Sequence, residues 1–313
     1  MEIIRTILES NYFADKPPVL IDIGASGELH QKWKPIAPYS ICIAFDADDR
    51  EFRATEHTNK AYKKLISLNR IVTSEPVATA DFYLTVSPFC SSLLQPSVEE
   101  LQPWIFSDLF KVEKRIQLAA TTIKEALNGI NIDYIDWFKT DTQGTDLRLF
   151  TTLPPALSQN ILAAEFEPGI LDAYSGEDKL YQVMQVMERE SFWLSTIEVK
   201  GVQRLRKEYV QEIGQSSVKR ILRKSPGWAE VTYLRHPKSN SARQQLLLYI
   251  FALMEKQYGY ALEVMDIALR NESNDLFTRC KEAVLKRMKK EKWKLPLVVF
   301  KRQFNKLFSN IND

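Results

Sequence analysis

Two glycines and a carboxylate near the N-terminus have the types and spacing of a nucleotide-binding turn. Gly24 and Gly27 follow the apolar run Val19–Ile23. Because glycine lacks a Cβ atom, the backbone there can turn tightly and approach a ligand closely. Asp46 closes the next apolar run, Ile41–Phe45. A carboxylate about 20 residues past such a turn can accept hydrogen bonds from ribose hydroxyls. The pattern therefore predicts a nucleotide-cofactor site.

The same turn is poorly suited to a pyrophosphate. The fingerprint G-x-G-x-x-G is incomplete, because Ser26 stands where its second glycine would be. Asp22 before the turn and Glu28 after it add negative charge that a phosphate would oppose. The segment thus disfavours an NAD-dependent oxidoreductase and favours S-adenosylmethionine, which carries ribose and adenine without phosphate. An ordinary strand and turn of an α/β protein remains the alternative.

A second set of polar side chains follows later strands. The run 132–146 is interpreted as a strand that ends in Lys139, Asp141 and Gln143, and the run Ile161–Phe166 ends around Glu165. Ligands of open α/β sheets bind at the carboxyl ends of strands, so we expect these side chains to gather there. Each also has a structural interpretation, since Asp141 can cap the following helix, Lys139 can be a surface lysine and Glu165 can pair with a nearby cation.

The elements that would position these residues alternate between strands and helices. We predict an α/β fold, with a mostly parallel sheet and helices on both faces, over 1–235, and a small helical region over 236–313. An antiparallel piece is expected at 81–86, and the basic stretch 200–226 is expected to form a long excursion. Strands are predicted near 18–23 and 41–45, in the first part of 63–87, and near 114–120, 161–166 and 192–199. Helices are predicted near 2–13, 97–110 (with Ser97 as N-cap), 122–128, 144–152, 176–190, 244–256, 260–270 and 276–290.

Composition excludes several classes of function. The chain has 313 residues, 45% of them hydrophobic, and a formal charge of +2, which gives no general case for nucleic-acid binding. The three cysteines are scattered and no signal peptide is evident, so we expect a cytoplasmic protein. The three histidines lack metal-ligand spacing, so no zinc site is expected.

Five sequence motifs follow one another in a recognisable order: Ile21–Gly27, Phe82–Leu84 with Ser91–Leu93, Thr121–Ile123, Phe138–Gly144, and Glu165–Glu167 with Tyr174 and Ser191–Leu194. Together they resemble the FkbM family of S-adenosylmethionine-dependent methyltransferases, over roughly residues 15–200. Two departures are Ser26, where the family commonly has Asn, and Gln143, where many members have Glu.

The resemblance implies a class I methyltransferase fold and an O-methyltransferase whose acceptor is a hydroxyl of a sugar, a glycan or a secondary metabolite. Asp141 would be the base or orienting group. If Gln143 replaces a base, another group such as Asp141 would be needed for that role, because an amide cannot accept a proton at neutral pH. A non-catalytic module that keeps the fold is the alternative. Lys139, Gln143 and Glu165 would shape the acceptor site, and the cofactor would be held by Asp22, Gly24, Ala25, Ser26, Gly27, Asp46 and Ser92.

The C-terminal tail is basic and amphipathic. Residues 281–308 contain ten lysines and arginines against two glutamates, and four apolar residues share one helical face: Phe300, Phe304, Leu307 and Phe308. Such a helix can lie on an anionic membrane through 297–308, which would place the protein peripherally at the inner face. Docking of the same helix on its own domain is the other interpretation. The sequence leaves the oligomeric state open.

Overall fold

A computed structural model describes residues 2–24, 30–45, 61–237 and 241–309, with side chains to residue 292 except Gln215. The strands are β1 Val19–Ile23, β2 Ile41–Phe45, β3 Lys64–Leu68, β4 Ile71–Val72, β5 Thr79–Thr85, β6 Val112–Thr121, β7 Trp137–Thr140, β8 Ala163–Phe166, β9 Phe192–Val202 and β10 Ser225–Arg235. The helices are α1 Glu2–Leu8, α2 Val98–Leu101, α3 Ile123–Gly129, α4 Asp146–Thr151, α5 Pro155–Ser158, α6 Leu180–Arg189, α7 Lys207–Ile213, α8 Gln215–Ile221, α9 Ala242–Met254, α10 Tyr258–Asn271 and α11 Asp275–Ser309.

The chain divides into two units, one of which holds the sheet. The divisions fall between Ile7 and Leu8 and between His236 and Pro237. The first seven residues group with the C-terminal helices, and the segment Leu8–His236 forms the other unit. All of the strands and the predicted site lie within Leu8–His236.

Seven strands of the described residues form one mostly parallel sheet in the order β3-β2-β1-β7-β8-β10-β9. The pairs from β3 to β8 are parallel, and β10 runs antiparallel to both β8 and β9. Helices flank the sheet, so the predicted α/β class with a mostly parallel sheet is confirmed. β1 is buried along its whole length, as a parallel strand covered on both faces must be. A separate small sheet has the order β4-β6-β5, and its antiparallel β5–β6 pair confirms the expected antiparallel piece.

Two local predictions were wrong for identifiable reasons. The helix predicted over 97–110 is only the four-residue α2, followed by a 3-10 turn at Ser107–Phe110. Pro103 explains the early end, because proline lacks the N–H group that a helix interior needs. Ser97 occupies the N-cap position, but its side chain makes no capping hydrogen bond.

The excursion predicted over 200–226 contains more regular structure than expected. β9 continues to Val202, α7 and α8 follow, and β10 begins at Ser225. Pro226 and Gly227, at the end of the predicted excursion, lie in the first residues of β10. The register of β10 against β9 shifts between Pro226 and Trp228, and such irregularities accommodate proline and glycine in strands.

The other unit, which comprises Met1–Ile7 and Pro237–Asp313, consists mainly of helices in its described part. The segment Leu246–Ala252 of α9 is fully buried, and the Tyr249 hydroxyl donates to the Cys280 carbonyl at 2.7 Å. Within the residues that the structure describes, none of the helices combines the length and apolar character needed to cross a bilayer. The proposed membrane segment 297–308 lies beyond the described side chains and stays a prediction.

An aromatic cluster joins the sheet to its flanking helices on one face. The Phe150 ring of α4 contacts Phe138, Phe166 and Phe192 with ring centroids 5.5, 5.6 and 6.1 Å apart. Phe150 is 2% exposed, so its ring packs on all sides. Edge-to-face aromatic contacts of this kind stabilise a core beyond the burial of their area.

We expect Phe150→Ala to lower the free energy of unfolding by about 3–5 kcal/mol, because it empties a ring-sized volume from this cluster. Urea unfolding followed by circular dichroism measures the change. Tyr181→Ala, at a side chain 69% exposed on α6, is the matched control and should change stability by less than about 0.5 kcal/mol. A loss under about 1 kcal/mol for Phe150→Ala would show that the cluster does not carry the core.

Candidate functional site

A cavity of about 500 Å³ opens at the carboxyl ends of the parallel strands. Its floor includes Gly24 after β1, Phe45 at the end of β2, Asp141 after β7 and Glu167 after β8. This is the position where open α/β sheets bind ligands. The volume falls in the usual range for small-molecule sites, about 300–1,000 Å³.

Gly24 packs directly against the backbone of Asp141. Gly24 donates its N–H to the Phe45 carbonyl at 2.9 Å, and Asp141 donates its N–H to the Ile23 carbonyl at 2.8 Å. A Cβ atom at residue 24 would lie 1.9 Å from the Asp141 carbonyl oxygen, and the φ angle there is +85°. Only glycine meets both conditions. Gly24, which opens the predicted cofactor turn, therefore contacts the backbone of Asp141, the predicted base.

The Asp141 carboxylate is held by Gln143. The Gln143 amide nitrogen donates to Asp141 Oδ1 at 2.6 Å, from a residue with a φ angle of +56°. The Tyr174 hydroxyl lies 3.2 Å from the Gln143 amide oxygen and 2.8 Å from the Cys90 carbonyl. Burial raises the pKa of Asp141 to about 6, with Lys139 opposing the shift and Asp146 adding to it. A carboxyl in this range can exchange a proton near neutral pH.

A row of charged side chains crosses the sheet one layer below the cavity. Asp22 is in register with Lys139, and Lys139 is in register with Glu165. The Lys139 ammonium donates to Asp22 Oδ1 at 2.8 Å, and the Asp22 residue is 1% exposed. Burial alone would lower the pKa of Lys139, but the adjoining Asp22 carboxylate raises it above the ordinary value. Two residues along a strand span about 7 Å, so this row lies beneath Asp141.

Glu165 belongs to this row and does not line the cavity. Lys32 donates to its Oε2 at 2.9 Å, and the Trp137 indole donates to its Oε1 at 2.8 Å. The His30 ring nitrogen lies 4.0 Å from Oε2. Glu165 thus has the structural pairing that the sequence left open, and its predicted place in the acceptor site finds no support in this geometry.

Glu167 lines the cavity instead, although the sequence did not single it out as a site residue. β8 ends at Phe166, so residue 167 stands beyond the strand, as Asp141 stands beyond β7. Burial, together with the nearby Asp141 carboxylate, raises the pKa of Glu167 to about 9, while Lys139 opposes the shift. The position of Glu167 in the sequence could have indicated this role. The first polar residue after a strand end reaches the edge of the sheet where ligands bind, whereas a residue inside the strand does not.

The remaining predicted cofactor residues divide into two groups. Ser92 is fully buried, and its hydroxyl donates to the Gln143 carbonyl at 2.8 Å and accepts from the Leu94 N–H at 3.0 Å. It supports the loop that carries Gln143, and its neighbours Ser91 and Leu93 line the cavity. The other group, Ala25, Ser26, Gly27 and Asp46, lies outside the described residues.

No protein-family model matches this chain, and no curated protein is significantly similar to it. Functional interpretation of the cavity therefore depends on its geometry and on the sequence motifs.

We expect Gly24→Ala to destabilise the unit Leu8–His236 by about 2–4 kcal/mol, since it adds a steric clash to a positive φ angle. Gly129→Ala is the matched control, because a Cβ there meets no atom within 4 Å and the residue lies in α3. That change should be neutral or stabilise by up to about 1 kcal/mol. Thermal or urea unfolding measures both, and equal effects of the two substitutions would contradict the close approach of β1 and β7.

Glu167 should also make stability depend on pH. The folded protein holds the Glu167 proton more tightly than the unfolded chain, whose carboxyl has a pKa near 4.5. Stability is therefore lost as pH rises through the window from 4.5 to about 9. We expect Glu167→Gln to flatten the fall in the free energy of unfolding between pH 6 and pH 9. Glu188→Gln, at an exposed position of α6, should leave the slope unchanged; equal slopes for Glu167→Gln and wild type would refute a raised pKa.

Proposed function

We propose that this protein is an S-adenosylmethionine-dependent O-methyltransferase and that the cavity at the carboxyl ends of β1, β7 and β8 is its active site. The observation that carries the proposal is the contact between Gly24 and the Asp141 backbone. It joins the glycine turn and the Lys-x-Asp-x-Gln-Gly segment, two motifs far apart in the sequence, at one cavity.

The strand order supports the same interpretation. In dinucleotide-binding folds the doubly wound order is 3-2-1-4-5-6. Here the first five positions follow that order, and the antiparallel β10 is inserted between β8 and β9. An antiparallel strand inserted at this place is typical of the class I methyltransferase fold, the fold that the family resemblance implies.

The charges around the cavity suit a cationic cofactor. Among the described lining residues, Asp141 and Glu167 place carboxyl groups at the floor, while Arg70 supplies a cation. A pyrophosphate would be repelled by the ionised Asp141 carboxylate, whereas a positively charged sulfur would be attracted to it. Binding of a cation would also draw both carboxyls toward their ionised forms.

Asp141 has the position and protonation behaviour of a base. When bound, S-adenosylmethionine supplies a methyl group on a positively charged sulfur, and the C–S electron pair stays on that sulfur as the methyl leaves. The chain's part is to hold a hydroxyl oxygen in line with that methyl and to accept the hydroxyl proton at the Asp141 carboxylate. Lys139 below and Gln143 beside Asp141 favour its ionised form.

We expect the purified protein to bind S-adenosylmethionine and S-adenosylhomocysteine, as measured by calorimetry. The variant Asp141→Asn should keep this binding and lose turnover. Loss of the base should lower the rate of methyl transfer by about 10²–10⁴-fold. The affinity for S-adenosylhomocysteine should stay within about threefold, because that ligand carries neither the methyl group nor the sulfonium charge.

Asp46→Ala provides the complementary variant, since loss of a ribose contact should weaken binding of both ligands by about tenfold or more. Absence of binding to either ligand in a folded sample would refute the methyltransferase proposal. Binding that is accompanied by no transfer to any hydroxyl acceptor would favour the non-catalytic alternative.

A further inference from the structure

The cavity has two sides, which the strand order separates. In the order β3-β2-β1-β7-β8-β10-β9, Gly24 and Phe45 lie on the β1–β2 side of Asp141. Glu167 and Trp228 lie on the β8–β10 side. Gly24, the described residue of the predicted cofactor turn, lies on the first side, so we assign the second side to the methyl acceptor.

The β8–β10 side is aromatic. The rings of Phe106 and Trp228 are parallel, with an interplanar angle of 9° and centroids 6.5 Å apart. Phe110 packs edge-on against Phe106 at 5.0 Å and against Tyr174 at 5.5 Å. All four rings line the cavity, together with the aliphatic side chain of Leu171. Flat, apolar walls of this kind bind flat, apolar ligands.

The polar groups on this side are mostly engaged by the protein. The Glu177 carboxylate pairs with Lys179 at 2.6 Å, and the Glu230 carboxylate pairs with Lys200 at 3.0 Å. Glu167 differs, because no hydrogen bond or ion pair joins its carboxyl to another described residue. One carboxyl among aromatic walls can orient a ligand that carries few polar groups.

We propose that the aromatic side of the cavity, formed by Phe106, Phe110, Leu171, Tyr174 and Trp228 with Glu167 as its polar group, binds a planar aromatic alcohol as the methyl acceptor. This inference rests on the proposed methyltransferase function and narrows its acceptor from hydroxyl compounds in general to phenol-like ones. A sugar carries several hydroxyl groups, and those that face these rings would lose their hydrogen bonds to water without replacement.

The transfer would balance in a single step. The phenolic oxygen forms a bond to the methyl carbon while the C–S bond breaks and its electron pair remains on sulfur. The phenolic proton moves to the Asp141 carboxylate, and the products are an aryl methyl ether and S-adenosylhomocysteine. Glu167 provides a hydrogen bond at the polar end of the acceptor.

Calorimetric titration of 2-naphthol into the protein saturated with S-adenosylhomocysteine tests this proposal, with methyl β-D-glucopyranoside as the competing class of acceptor. We expect the naphthol to bind and the glucoside not to bind. Trp228→Leu should weaken naphthol binding by about tenfold, since it removes one flat wall, while the affinity for S-adenosylhomocysteine changes by less than about twofold. The rate of methyl transfer to naphthol, measured with S-adenosylmethionine that carries a labelled methyl group, should fall by a similar factor.

Two further variants keep the test decisive. Phe106→Leu retains apolar volume but removes the opposing ring, so it should reproduce the effect if Trp228→Leu fails to fold. Tyr181→Ala, on the exposed face of α6, should leave naphthol binding unchanged.

The outcomes distinguish the two levels of the proposal. Glucoside binding in preference to naphthol, or naphthol binding that ignores both ring substitutions, would overturn the aromatic acceptor and leave the methyltransferase proposal intact. Failure of S-adenosylhomocysteine to bind would overturn the proposed function. Naphthol binding that still depends on Trp228 would, in that case, support the aromatic site by itself.

Discussion

The close approach of β1 and β7 at their carboxyl ends is the constraint on which the site depends. Two hydrogen bonds, Gly24 to Phe45 and Asp141 to Ile23, extend the pairing of β2, β1 and β7 just past the last residues of the strands. Only a residue without Cβ can occupy position 24, because the Asp141 carbonyl fills the space that a side chain would need. Backbone geometry therefore fixes the position of Asp141 at the cavity floor, and only the orientation of its side chain remains variable.

Beneath that floor, the charges alternate in sign across the strands. The Lys139 ammonium lies 2.8 Å from the Asp22 carboxylate. The Lys32 ammonium lies 2.9 Å from the Glu165 carboxylate. Burying such a row costs solvation free energy, which only close pairing offsets, so it adds little to stability by itself. Its consequence is electrostatic: the Lys139 ammonium opposes the effect of burial on Asp141 and keeps the pKa of that carboxyl near 6.

Periodicity in the sequence was sufficient to predict the parallel strands and most helices, because buried runs and capping residues are local signals. The helix predicted near 122–128 and the strands that end at Ile23 and Phe45 are examples. β10 escaped prediction because its first residues, Pro226 and Gly227, carry turn signals that the register shift against β9 accommodates. The end of β8 at Phe166 agrees with the predicted strand, so the wrong choice of Glu165 has another cause. Glu165 lies inside the strand and is paired there, whereas Glu167 is the first residue beyond the strand and lines the cavity.

Gln143 bears on whether the site is catalytic. An amide at this position donates a hydrogen bond to the Asp141 carboxylate, at 2.6 Å, and its oxygen faces the Tyr174 hydroxyl. An ionised glutamate could not donate that bond, and it would place a second negative charge beside Asp141 and raise the pKa of both groups. Because residue 143 is a glutamine, Asp141 supplies the carboxylate of this pair of residues, and the Gln143 amide stabilises its ionised form. The departure from the signature of the family that the sequence resembles thus leaves Asp141 as the titratable group between these two residues, which is compatible with the proposed role of Asp141 as a base.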